Sequence, residues 1–310
     1  MGELLWNVAH ISLKTLSLLV LSPVFWITLG VTYCYYKKYE WKEAGARYLA
    51  LASSIEGLGA GFLVILLTAF FGLTIKPGPA LCWMGPAAMG LSLVKPRFLC
   101  LSYGAGLVFL ACVLFGISVD IVGICGLVGI LHLAEGLLVL FVGGKYTVPI
   151  YQTNRAMLQI CSGIYRFWPV PICLLIAVGE GGSAADMPKW WPIVSSVDWG
   201  QQQSLGLLPL AVTLGYSDVA GQTSEVEKRR WQKGSLILIY AVLLLGLSIW
   251  CCQDMPKSAS TGLKCLAAFW MVAGHEFIVL YPKLSAKIAL KFVHKNRLET
   301  HTSCVYNRMK

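Results

Sequence analysis

Two His/Glu pairs inside apolar runs are the residues of this sequence best equipped for chemistry. His132 and Glu135 stand three residues apart, so a helix places them on one face. His275 and Glu276 are adjacent, about two-thirds of the way along the last apolar run. Imidazole and carboxylate together suit zinc or iron. They can also pass protons or ions. As neutral His and paired or protonated Glu, they can simply hydrogen-bond between helices and fix packing. The residue types leave these three readings open. An ionisable group facing lipid at mid-depth costs about 2.5–3.5 kcal/mol even on the gentler insertion scale. Both pairs are therefore expected to face the protein interior, where the two can meet.

One enzyme class can be tested directly. An intramembrane metalloprotease needs H-E-x-x-H, which sets two ligands one helical turn apart with Glu as the base. His275-Glu276 opens that motif, but Val279 stands where the second His is required. No Ser/His/Asp order or carboxylate pair can be placed in a shared cavity from sequence. Neither a catalytic residue, nor a cofactor, nor a resident metal is therefore expected. Gly57, Gly59 and Gly61 beside Glu56 lack the spacing and the preceding strand of a dinucleotide loop. Gly57 and Gly61 match G-x-x-x-G, and Gly123, Gly126 and Gly129 thin another face, so close helix packing is their expected use. Glu56 is expected near a span end, reaching the interface.

The elements that must hold these residues follow from composition. The 310 residues are 57% hydrophobic and only 13% charged, and mean hydropathy is +0.68. Soluble domains carry about a quarter charged residues. The apolar residues also come in blocks of about twenty, the length a helix needs to cross roughly 30 Å of hydrocarbon. The expectation is an all-α polytopic transmembrane bundle of about six to eight spans, some short or re-entrant and broken by proline. Full spans are read at 16–33 (kinked at Pro23), 54–73, 98–117, 121–142, 235–252 and 263–281, with Asp120 marking a turn. Residues 76–97, with Pro77, Pro79 and Pro86, read as interfacial or re-entrant. Residues 145–166 read as a mixed loop. Residues 167–178, with Pro169 and Pro171, read as a half-span or a tilted span starting near Met157. Trp190, Trp191 and Trp199 have the character of an interfacial aromatic belt, and 205–214 is a second short apolar piece.

Charge adds orientation. Lys and Arg outnumber Asp and Glu by 25 to 15, and they cluster beside spans, as the positive-inside bias predicts. No interleaved basic and aromatic pattern points to nucleic acid. The C-terminus is expected in the cytoplasm, and Arg166 falls in an outer loop. Lys14 ahead of an apolar run resembles a signal peptide, but that run is long and lacks an A-x-A-like site, so it reads as an uncleaved anchor. The cysteines form no C-x-x-C pair. Cys100, Cys112, Cys125, Cys173 and Cys265 lie in apolar runs, where Cys acts as a small hydrophobe. The chain is thus expected to divide into a membrane domain, 1–282, and a basic tail, 283–310. In that tail Lys283, Lys287, Lys291 and Lys295 recur every four residues and share one helical face, suited to an anionic inner leaflet.

Several short segments resemble the membrane domain of MinJ-like proteins of Gram-positive bacteria. They are Leu208-Pro209-Leu210, then Leu214-Gly215-Tyr216-Ser217-Asp218-Val219-Ala220, and, after a basic stretch and a span, Gly274-His275-Glu276. Lys14-Thr15, Leu21-Ser22-Pro23-Val24-Phe25 and His132-Leu133-Ala134-Glu135 look similar too. The resemblance implies a polytopic membrane part followed by a cytoplasmic PDZ domain. It also implies a scaffold that bridges a curvature-sensing coiled-coil protein and the Min division inhibitor. Only Lys295 to Lys310 occupy the place where such a PDZ domain would begin, so that module is expected to be missing. The expected function is an integral membrane scaffold or topology factor in cell division, in contact with the lipid bilayer and with division proteins. The alternative is a small transporter or ion-handling protein using the intramembrane His/Glu pairs.

Overall fold

A computed structural model of the chain describes residues 10, 14–38, 43–154, 157–180, 191–195, 203–221, 223–252 and 262–281. Lys283, Lys287, Lys291, Lys295, Trp190 and Trp199 lie outside the described residues.

The first apolar run breaks at Pro23 as its sequence predicts. Helix α1, Lys14–Leu21, meets α2, Pro23–Lys38, at a bend of 65°. Pro23 opens α2, where a missing N–H costs nothing, and Ser22 Oγ accepts from the Phe25 N–H at 3.4 Å, as an N-cap does. Helix α3, Glu43–Phe71, follows. A two-residue strand β1, Thr74–Ile75, leads to α4, Pro79–Val94, which begins on Pro79 and contains Pro86. A short 3-10 turn, Pro96–Leu99, precedes α5, Leu101–Leu114. Asp120 then caps α6, Ile121–Val142, accepting from the Gly123 N–H at 2.9 Å and from the Lys76 N–H at 2.8 Å. The last two helices are α7, Thr223–Cys251, and α8, Gly262–Tyr281.

Among the described residues, α3, α6, α7 and α8 are long and apolar enough to cross a bilayer, and the bent α1–α2 pair is a fifth if it counts as one span. Among the described residues the expected six to eight are not confirmed, for two physical reasons. The 98–117 run is cut at Cys100, and the 14 residues of α5 rise about 21 Å, short of roughly 30 Å of hydrocarbon. The 167–178 run is not helical at all.

That run lies in a sheet. Strands β2, Thr147–Asn154, β3, Met157–Glu180, and β4, Gln203–Ala220, join β1 in one sheet. The fold is mostly helical rather than all-α. Within the expected loop, residues 147–154 and 157–166 are strand, no tilted helix starts at Met157, and the 205–214 piece is strand. β4 runs antiparallel along one edge of β3, from Ser162↔Ala220 to Glu180↔Gln203. On the other edge, β2 pairs with the first part of β3 and β1 with Leu175 and Ile176. Between those two partners, residues 165–174 of β3 turn a bare edge toward α2 and α3.

Register explains why prolines occupy the centre of this sheet, where a missing donor is usually excluded. Alternate residues of an antiparallel strand point both N–H and C=O away from the partner. Phe167, Pro169, Pro171 and Cys173 share one phase, opposite Gly215, Thr213, Ala211 and Pro209. Phe167 identifies it as the outward phase. Its N–H donates to Tyr36 Oη at 3.1 Å, and its carbonyl lies 3.3 Å from the same oxygen. Pro169 and Pro171 have no N–H to leave buried against a helix, and Pro209 removes none from the ladder. Tyr36 Oη also lies 2.7 Å from Ser53 Oγ, tying α2 to α3 at the same point. Tyr36→Phe strands the buried Phe167 N–H at a cost of about 1–3 kcal/mol. A thermal melt of the purified protein in detergent reads this, and an unchanged midpoint contradicts the assignment.

Large apolar side chains lie on the outside of the long helices as well as in the core. α3 buries Ser53, Ser54, Thr68 and Ala60, yet Leu51 and Ile55 are 61% and 73% exposed. α7 buries Ala241, Leu244 and Ser248 and exposes Ile239, Val242 and Trp250. Small and polar residues buried beside Leu49, Val64 and Leu245, with other large apolar residues outside, is an arrangement that lipid favours. α6 forms the centre, with most of its length buried. Its glycines admit α7: a Cβ on Gly129 would meet Leu245 at 3.0 Å, and one on Gly136 would meet Leu238 at 2.7 Å. Ser248 Oγ donates to the Val122 carbonyl at 2.8 Å across the same seam.

Candidate functional site: a histidine cluster between four helices

The His132/Glu135 pair faces inward, and His275 turns toward it. On α6, His132 is 2% exposed and Glu135 is 9% exposed. His275 and Glu276 on α8 are half-buried. The imidazole rings of His132 and His275 meet edge-to-face with centroids 5.3 Å apart. The meeting that the sequence allowed is thus present for the histidines.

α6 fixes the His132 tautomer. Its Nδ1 lies 2.7 Å from the Val128 carbonyl one turn back. A carbonyl only accepts, so Nδ1 donates, and in the neutral ring Nε2 is left with the lone pair. That nitrogen is 3.3 Å from Cys100 Sγ, 3.4 Å from Ser102 Oγ and 3.8 Å from Glu135 Oε2. Ser102 Oγ is 3.1 Å from Tyr240 Oη, which donates to the Met271 carbonyl at 2.6 Å. The Tyr240 ring packs against His132, with centroids 5.0 Å apart.

His275 is treated differently. The carbonyl one turn before it belongs to Met271, which already accepts from Tyr240, and the buried His275 Nδ1 has no hydrogen-bond partner. Its ring is held by Tyr103, with centroids 4.9 Å apart. Glu276 turns aside: Oε2 accepts from the Tyr103 hydroxyl at 2.5 Å, and Oε1 pairs with Arg97 Nη2 at 2.9 Å. Glu276 and Arg97 are about one-third exposed, so this pair marks the accessible side of the cluster.

Cys100, His132 and His275 each bring one ligand-type atom to within 4.8 Å of the others. Cys100, Ser102, Tyr103 and Tyr240 were not singled out by sequence reasoning. Cys100 stands at the head of an apolar run and reads as a small hydrophobe. Only its pairing in space with one buried and one half-buried histidine separates it from the other cysteines.

A second buried polar group lies on the sheet. Arg166 on β3 is fully buried and pairs through Nη2 with Glu56 Oε2, which also accepts from Trp168 Nε1 at 2.7 Å. The guanidinium carbon sits 5.2 Å from the Tyr146 ring centroid and 5.5 Å from that of Trp168. Arg166 is therefore not in an outer loop, and Glu56 reaches into the protein rather than to the interface. The missed signal was the alternation of Arg166 and Trp168, which places both on one face of a strand.

No protein-family model, curated protein or solved structure matches this chain.

Proposed function

We propose that the chain is a non-catalytic, multi-pass membrane scaffold of a Gram-positive bacterium, acting in division-site topology with its C-terminus in the cytoplasm. The observation that carries this reading is that the buried polar groups act as locks between elements. Glu56 with Arg166 and Trp168 joins α3 to β3, and Tyr36 joins α2 to β3. Ser248 joins α7 to α6, and Tyr240 joins α7 to α8. A platform held rigid from within suits a protein whose task is to hold partners in place. The division proteins it would hold follow from the MinJ-like segments, which include part of β4 and the start of the histidine cluster on α8.

A C-terminal green fluorescent protein fusion in a Gram-positive host tests both parts. The fluorophore matures in the cytoplasm, so fluorescence itself reports the side of the tail. Foci at septa and poles are expected, and an even membrane signal or a dark, membrane-inserted fusion contradicts the reading. One observation favours the second reading, an ion-handling protein: the meeting of His132 and His275 at 5.3 Å. On that reading His132→Asn abolishes ion-dependent activity and leaves localisation unchanged.

A further inference from the structure

We infer that Cys100, His132 and His275 form a binding site for one transition-metal ion of the zinc class, which staples α5, α6 and α8 together. The inference stands apart from any role in division. It departs from the expectation, drawn from the sequence, that no resident metal is present.

Ligand type comes first. One thiolate and two imidazoles suit zinc or copper far better than magnesium or calcium, which prefer oxygen. Geometry agrees. Tetrahedral zinc with S at about 2.3 Å and N at about 2.0–2.1 Å sets S···N near 3.6 Å and N···N near 3.3 Å. Cys100 Sγ and His132 Nε2 are already 3.3 Å apart, and all three ligand atoms fall within 4.8 Å. Closing the set from that 4.8 Å limit to tetrahedral spacing needs side-chain shifts of about 1 Å.

The surroundings of His132 supply what a metal-bound histidine needs. A ligating imidazole normally donates its other N–H to a carbonyl or carboxylate, which fixes the ring and raises its basicity. His132 does this to the Val128 carbonyl and leaves Nε2 turned toward Cys100. His275 is held by the Tyr103 ring, whose hydroxyl is anchored on Glu276. The unpartnered, buried His275 Nδ1 shows that ordinary hydrogen bonding does not complete this cluster.

Charge points the same way. A divalent ion in a low-dielectric interior is costly unless neutralised nearby. Cys100 binds as the thiolate and its proton leaves to water, as metal binding to thiols requires. Glu135, with Oε2 3.8 Å from His132 Nε2, stands where its carboxylate would add the second negative charge as fourth ligand or close counter-ion. The sum is then zero. Cys100 and His275 are half-buried, and the exposed flank beside Arg97 and Glu276 gives the ion a way in.

The test uses the full chain, purified in detergent with a tag that contains no histidine, and measures bound zinc and copper by mass spectrometry. About one zinc-class ion per chain is expected. Cys100→Ser, His132→Asn and His275→Asn should each lower the content by at least about tenfold. Cys34→Ser, at an exposed position on α2, should leave it unchanged. Metal content unaffected by the three ligand substitutions overturns the proposal. Since a ligand variant can fail to fold, the unmutated chain is also stripped and reloaded with cobalt. A thiolate-to-cobalt charge-transfer band supports the site, and its absence at saturating cobalt overturns it without reference to any variant. Fusion-protein foci with no bound metal would retain the scaffold and remove this site; metal without foci would do the reverse.

Discussion

Glu56→Ala is expected to be among the most damaging single substitutions in this protein, lowering stability by about 3–5 kcal/mol, because it leaves a fully buried Arg166 charge without its counter-ion. The Tyr146 and Trp168 rings offer cation–π contact, worth about 2 kcal/mol at best in a desolvated site, and so do not replace a carboxylate. Trp168 Nε1 loses its acceptor in the same step. Thermal melting in detergent should show a midpoint fall on the order of 10 °C. The double change Glu56→Ala with Arg166→Met separates charge from shape. Replacing a whole buried pair by apolar residues is often neutral, so the double variant should melt above Glu56→Ala alone. A double variant that melts at or below the single one would show that Arg166 matters through packing and not through its charge.

What the sequence conveyed about this fold depends on how each segment solves its backbone hydrogen bonding. α6, α7 and α8 were legible because an uninterrupted apolar run of span length has one low-cost solution in lipid, a helix that satisfies every N–H and C=O internally. The bend at Pro23 was legible for the same reason, since proline's effect on a helix is local. β3 and β4 were not legible. An apolar run of eight to twelve residues is ambiguous between helix and strand by periodicity, and Pro169 and Pro171 speak against both. Their place becomes intelligible only with Tyr36 and α3 in position beside the outward phase of β3. Such long-range information does not reside in any window of sequence.

The site divides in the same way. His132, Glu135, His275 and Glu276 stood out because ionisable groups in apolar runs are costly wherever they point. Their inward direction followed from that cost alone. Their division of labour did not. Glu135 stays beside His132, whereas Glu276 turns to Tyr103 and Arg97, the last residue of the segment read as interfacial or re-entrant. Arg166 was hidden by the opposite error, for a lone arginine next to a proline-broken run looks like loop charge. Its burial shows that the sheet is as much part of the interior as the helices are.

The glycine triplet on α3 gives the sharpest test of that interior sheet. Gly57 and Gly61 were expected to let two helices approach closely. They do admit a close neighbour, but it is the backbone of β3. A Cβ on Gly57 would stand 2.1 Å from the Pro169 carbonyl oxygen, and one on Gly61 would stand 2.2 Å from that of Pro171. These carbonyls belong to the outward phase of the strand and rest directly on the helix surface. A clash with backbone cannot be relieved by a rotamer change. The helix and the hairpin must separate, which also pulls Glu56 from Arg166 and Tyr36 from Phe167. Overpacking typically costs about 1–3 kcal/mol per site, so Gly57→Ala with Gly61→Ala should cost about 2–6 kcal/mol. Gly59, between them, faces open space. Gly59→Ala should therefore be neutral or stabilising by up to about 1 kcal/mol, because alanine is the better helix former. Melting curves of the three single variants and the double decide the matter. If Gly59→Ala destabilises as much as Gly57→Ala, the strand does not rest on this face of α3, and the prolines of β3 need another explanation.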